Sequence, residues 1–126
     1  MEVNMLFKYK NDYEKIAMGF LSFVPDLKEV SHVQAELALY TSDEQRNLYL
    51  WRNEAGDFAG VVGIELGADY ILVRHISLNP SERSDENYFT MLDELAALYP
   101  ESRVMGSLET APLIAKWEQH QNTEMD

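Results

Sequence analysis

The stretch Tyr70-Ile71-Leu72-Val73-Arg74-His75-Ile76-Ser77-Leu78 constrains the fold more than any other part of the chain. Its apolar residues fall at both odd and even positions. A strand shows side chains to alternate faces, so such a run predicts burial on both sides, at the centre of a sheet and not at its edge. A sheet covered on both faces needs helices on both faces.

The neighbouring segments supply them. Met5–Tyr9 reads as a short first strand. Asn11 or Asp12 is placed to cap a helix whose apolar positions Tyr13, Ile16, Ala17, Phe20 and Leu21 share one face, and Pro25 stops it. Asp26 followed three residues later by Glu29 has the form of a capping box for a second helix through Leu27, Val30, Leu37 and Tyr40. Strands follow at Asn47–Arg52 and Phe58–Leu66, joined by a turn at Asn53–Asp57 that contains Gly56. Gly60 and Gly63 inside the second of these strands mark a bulge or a close approach by another group.

After Asn79-Pro80, Ser84 caps a helix carrying Tyr88, Met91, Leu92, Leu95 and Tyr99, closed by Pro100. Arg103-Val104-Met105 gives a last short strand. Thr110 and Pro112 open a final helix through Ile114 and Trp117. The expected architecture is a single α/β domain over 1–120, a mixed central β-sheet with helices on both faces, in the order β-α-α-β-β-β-α-β-α. Residues 121–126 are expected as a polar C-terminal tail.

Composition removes several function classes. The 126 residues carry a net charge of -12, most of it after residue 52. Such a surface lacks the basic face that phosphate backbones require, and it is equally unsuited to an anionic membrane. No cysteine is present, which excludes disulfides, thiolate metal sites and cysteine nucleophiles. His32, His75 and His120 have no ligand spacing, so no metal is expected. No leader or apolar span is visible, and a cytoplasmic location is the expectation.

The segment Val73–Arg83, with Arg74-His75-Ile76-Ser77, Asn79-Pro80-Ser81 and Arg83, resembles the fourth strand and phosphate loop of the GCN5-related N-acetyltransferase (GNAT) superfamily. Glu14–Phe23 and Leu50-Trp51 are similar, more narrowly, to the small RibT-type members associated with bacterial riboflavin operons. The resemblance implies an N-acyltransferase that uses acetyl-CoA and a small amine. It implies that the cofactor's pantetheine pairs with the backbone of Ile76, Ser77 and Leu78. Its diphosphate would then sit near Arg83 and Ser84, at the start of the helix that follows.

Two departures from the family pattern stand out. Glu86 and Tyr88 occupy the loop's usual glycine positions, so a diphosphate there is expected to meet the carboxylates of Asp85 and Glu86 and a tyrosine ring. In the last helix, where the family often has a tyrosine as general acid, the nearest match is Trp117, whose indole N–H is no acid near neutral pH. Its spacing from Leu113 and Ile114 predicts core burial instead.

His75 and Glu65 are the candidate bases. For His75 the pattern favours a hydrogen-bonded core imidazole over a base, and for Glu65 a solvated carboxylate over a catalytic one. Lys8, Lys10 and Lys15 form a basic cluster read as a solvated face. Besides the acyltransferase, a non-catalytic binding or regulatory module on the same scaffold and a structural homodimer without a small ligand remain open readings.

Overall fold

The computed structural model describes residues 5–125. The elements are β1 (Leu6–Lys8), α1 (Glu14–Leu21), α2 (Val30–Ser42), β2 (Arg46–Arg52), β3 (Phe58–Leu66), β4 (Tyr70–Leu78), α3 (Asp85–Leu98), β5 (Arg103–Gly106) and α4 (Ala111–Met125). The five strands form one sheet in sequence order. All neighbours are antiparallel except β4 and β5, which run parallel across the α3 crossover. The sheet is therefore mixed, in the order the pattern predicts.

Each face buries its own core. Ala17, Phe20 and Leu21 of α1 and Val33, Leu37 and Tyr40 of α2 pack on Leu48, Leu50 and Val61. On the opposite face Met91, Leu92 and Leu95 of α3, with Ile114 and Trp117 of α4, pack on Trp51, Val62, Ile64, Ile71 and Val73. Trp117 is 4% exposed, and its indole N–H donates to Asp93 Oδ1 at 2.8 Å, so it joins α4 to α3.

The two-sided apolar pattern of β4 has a different cause from the one expected. Ile64 pairs with Val73 and Gly63 with His75, leaving Arg74 as an extra residue in β4. Such a bulge exchanges the faces of all residues beyond it. Ile71 and Val73 before it, and Ile76 and Leu78 after it, all face the α3–α4 core. His75 and Ser77 are turned to the other side, where Tyr40 meets His75 and the Ser77 hydroxyl donates to the Phe20 carbonyl at 2.6 Å.

Several local expectations are corrected. Neither Asn11 nor Asp12 caps α1: both lie in a 3-10 turn, Asn11–Tyr13, and no side chain caps the helix. The Asp26/Glu29 capping box does not form, because Pro25–Leu27 closes its own 3-10 turn and delays α2 to Val30. Ile16 and Val30, expected on buried faces, are 39% and 65% exposed. The expected polar tail is helical as far as Met125; Asp126 lies outside the described residues. Ser84 does cap α3, accepting from the Asn87 N–H at 3.0 Å. Among the described residues no helix is long and apolar enough to cross a membrane.

Gly63 lies at the register break, and a Cβ there would run into the Tyr40 phenol ring. The glycine is what lets α2 place that ring over the sheet. Gly63→Ala should therefore lower unfolding stability by about 1–3 kcal/mol, the usual range for an overpacked core. Urea denaturation measures it; a loss under about 0.5 kcal/mol would mean that the ring and strand are not in this contact.

Candidate functional site

Pairing between β4 and β5 stops at Val73 opposite Gly106, where the bulge begins. Beyond it the strands part. Thr110, just before α4, ties the fork: its hydroxyl donates to the Val73 carbonyl at 2.7 Å and its oxygen accepts from the Ser107 N–H at 2.9 Å. The Ser107 N–H also lies 3.2 Å from the Val73 carbonyl.

The opening is a groove of about 370 Å³ walled by four parts of the chain. Phe23, Val24 and Pro25 come from the end of α1 and the turn after it. Arg74, His75, Ile76 and Ser77 come from β4. Arg83 and Tyr88 stand at the start of α3, and Glu109, Thr110 and Leu113 at the start of α4.

Backbone direction decides what β4 offers this groove. The Asn79 N–H reaches back to the Ala59 carbonyl of β3 at 2.7 Å. Backbone groups alternate in direction along a strand. Ile76 and Leu78 therefore aim their N–H and C=O groups away from β3, and Ser77 aims its own toward it. The Leu78 carbonyl is already met by Arg83 Nε at 3.0 Å. The Arg83 guanidinium also lies over the Phe23 ring, 5.2 Å from its centroid, a contact that holds a cation at the groove wall.

Of the predicted site residues, the groove brings together His75, Ile76, Ser77 and Arg83. Leu78 is buried behind it and contributes backbone only. Ser84 and Glu86 face a separate cleft beside Met5, Trp51 and Asn53. The Asp85 carboxylate lies 3.8 Å from the Lys116 ammonium of α4. The Glu86 carboxylate thus lies on another cleft, and that of Asp85 is solvent-exposed beside Lys116. Tyr88 does remain in the groove. Burial raises its phenol's pKa, and neighbouring Arg83 opposes the shift.

Glu65 does not line the groove. Its Oε1 is shared by Arg74 at 3.4 Å and Arg46 at 3.5 Å, on the α2 face of the sheet. His75 reaches both sides. Its Nδ1 lies 2.6 Å from the Tyr40 hydroxyl, and the residue is 9% exposed. Burial is the main reason its pKa falls below 6.5; Arg74 and Arg46 lower it further, while Glu36 and Glu109 oppose them. Tyr40 is pushed up, again mainly by burial.

Sequence reasoning marked Tyr40 only as core by its helical spacing and did not foresee its hydrogen bond to His75. At the family's acid position in α4 it expected Trp117 in the core, and Trp117 is buried there. The α4 side chain at the groove is Leu113, one turn earlier. Among the described residues no cluster of three metal-ligating side chains occurs.

A buried histidine with a lowered pKa has a defined effect on stability. Between the folded value and 6.5 the unfolded chain holds a proton that the folded chain does not, so acid favours unfolding. The melting temperature should fall as pH drops through about 6.5. His75→Gln should be less stable at pH 8 but should lose less on going to pH 5.5. Parallel melts of the two proteins measure this, and equal losses would remove His75 as the source.

No family model matches the chain. It is 37% identical over 115 residues to an uncharacterized N-acetyltransferase from the lysA 3' region of Bacillus methanolicus, covering 90% of this chain and 95% of that protein. The fold is shared with the aminoglycoside 6'-N-acetyltransferase AAC(6')-Ih of Acinetobacter baumannii, at TM-score 0.66 and 9% identity over 93% of this chain and 86% of that one. It is shared with an acetyltransferase of Thermus thermophilus, at TM-score 0.64 and 15% identity over 84% and 77%. A third case, aminoglycoside N-acetyltransferase AAC(6')-Iy in complex with CoA, has TM-score 0.63 and 11% identity over 93% and 84%. Such low identities speak for the fold alone, whereas the Bacillus relative matches in sequence along nearly its whole length: the chain belongs to the GNAT N-acetyltransferase superfamily.

Proposed function

We propose that this protein transfers an acyl group from acetyl-CoA or a related acyl-CoA to a small primary amine, in the groove between β4 and α4. The observation that carries the reading is the fork after Val73, which leaves the backbone edge at Ile76 without a neighbouring strand. A pantetheine arm is an extended chain with amide groups, and it fits such an edge as a substitute strand. The residues present fit the group in one further respect. The Arg83 guanidinium, held by Leu78 and Phe23, would face the diphosphate.

The start of α3 contributes less than it does in a glycine-rich loop, because the Asn87 N–H is already met by Ser84. The bound cofactor supplies the activated acyl group. The chain's own part is to align it along β4, to exclude water with Phe23, Val24 and Leu113, and to receive the amine proton. His75 is the imidazole in place for that step. The likeness to riboflavin-operon proteins makes amines of that pathway the first acceptors to try.

A non-catalytic binding module is the second reading, favoured by that self-capped α3 terminus. The two separate cleanly: a module binds CoA without releasing thiol.

Calorimetric titration with acetyl-CoA, beside CoA as control, should show binding that Arg83→Ala weakens about tenfold, as loss of a charged contact to phosphate predicts. Glu86→Gln should leave the affinity within about twofold, since that side chain faces the other cleft. A thiol-release assay over a panel of amines tests turnover. No heat with either ligand would sink the acyl-CoA reading, and binding without turnover would select the module.

A further inference from the structure

The groove carries opposite charges where its two helices begin. Arg83 stands before α3 and Glu109 before α4. Arg74, on β4, is paired with Glu65 at 3.4 Å. Glu109 is the one carboxylate among the described residues that line the groove. It is exposed, and the Ser107 hydroxyl donates to its Oε2 at 3.2 Å. No lysine, arginine or histidine among the described residues forms an ion pair with it. It is near enough to His75 to oppose the effect of the arginines on that ring.

The backbone that carries Glu109 is anchored. Its turn is the one that ties the fork: the Thr110 hydroxyl and the Ser107 N–H both meet the Val73 carbonyl, and the Ala111 N–H donates to the Ser107 carbonyl at 2.8 Å. The carboxylate is therefore held at the groove by the fold and not by a cation.

Beside the fork the sheet is bare and apolar. Leu72 of β4 lies in register with Met105 of β5. Side chains alternate along a strand, so both face away from Ile71, Val73 and Val104, which belong to the α3–α4 core. They are turned to the side of α1 and α2, yet neither joins that core, whose strand members lie on β2 and β3. Met105 is 42% exposed and Leu72 half-buried. Val73 follows Leu72, and Ser107 comes two residues after Met105; these two are bonded across the fork, so the strip runs up to the groove.

Resting on the acyl-transfer reading, we propose that Glu109 receives the acceptor amine as its ammonium ion and that Leu72 and Met105 carry its carbon skeleton. The acceptor is then a single cation on an apolar body, an alkylamine or an arylalkylamine. Charge complementarity selects it. A second ammonium group would find Glu65 along the strip, already shared by Arg46 and Arg74. A carboxylate on the acceptor would be repelled by Glu109, and a sugar's hydroxyls would lose water against Leu72 and Met105 without gaining partners. The two substrates thus take opposite ends of one groove, the diphosphate at Arg83 and the ammonium at Glu109, with His75 between them.

Thiol release from acetyl-CoA is measured with 2-phenylethylamine, hexylamine, ethanolamine, glucosamine and spermidine. The kcat/KM for 2-phenylethylamine should exceed that for ethanolamine at least about tenfold, as burial of two or more methylene-sized groups gives. Glu109→Gln should raise the KM for 2-phenylethylamine at least about fivefold, while calorimetry finds acetyl-CoA affinity within about twofold. Met105→Ser should narrow the preference over ethanolamine at least about threefold. Both substitutions are at exposed positions, and thermal melts check that the variants fold. Preference for ethanolamine, glucosamine or spermidine, an unmoved KM in Glu109→Gln, or sedimentation showing a dimer that Met105→Ser dissociates overturns the inference alone. Absence of thiol release with every amine overturns the acyl-transfer reading and the inference with it.

Discussion

One extra residue in β4 governs the rest of the structure. Arg74 has no counterpart on β3, so the strand's faces exchange at that point and its hydrogen-bond register with β5 cannot continue. Three consequences arrive together. Ile76 and Leu78 join the core that Ile71 and Val73 began. His75 and Ser77 are delivered to the α1–α2 side. The fork between β4 and β5 opens beside them. Opening a sheet strands its polar groups, and most of those at the fork are met locally: the Val73 carbonyl by Thr110 and Ser107, the Leu78 carbonyl by Arg83. What faces the groove between these two repairs is the backbone of Ile76. The site is a defect in the sheet whose edges are otherwise satisfied.

That defect also sets the limit of what the sequence makes legible. Element order, the bounds of β3 and β4, the Ser84 cap and the turn at Gly56 all follow from periodicity and turn chemistry, which are local. A bulge is local too, but it looks like something else. Apolar residues at 71, 73, 76 and 78 read as two buried faces when they are one face interrupted. The glycines of β3 did point to the register break and to a close approach. The residue that makes the bulge is on the neighbouring strand, and the approaching group is Tyr40, over twenty residues away in sequence.

The capping errors have the opposite origin. Asn11, Asp12, Asp26 and Glu29 are good cap residues in sequences that form 3-10 turns first, and those turns set where α1 and α2 begin. Trp117 illustrates a further limit. Its burial follows from helical spacing, yet spacing cannot tell which side of α4 meets the groove; only the position of α3, reached through Asp93, decides that Leu113 faces it.

Charge adds the last constraint. The chain is strongly acidic overall, yet Arg46, Arg74 and Arg83 are drawn to the α2 face of the sheet and the groove wall. Arg46 and Arg74 are largely answered by Glu36 and Glu65, at distances of 3.4 to 3.6 Å. Arg83 is held instead by a carbonyl and an aromatic ring, partners that orient a guanidinium without neutralising it. A polyanionic ligand approaching this surface therefore meets repulsion at long range and, at short range, the Arg83 cation, Arg74 beside it being paired with Glu65. Long-range steering favours the wrong sign, so the acyl-CoA proposed above would be recognised by contacts made inside the groove: the Arg83 charge at one wall and the backbone edge of β4 along its length. Both owe their position to the same strand, one through Leu78 and the other through the residue inserted at Arg74.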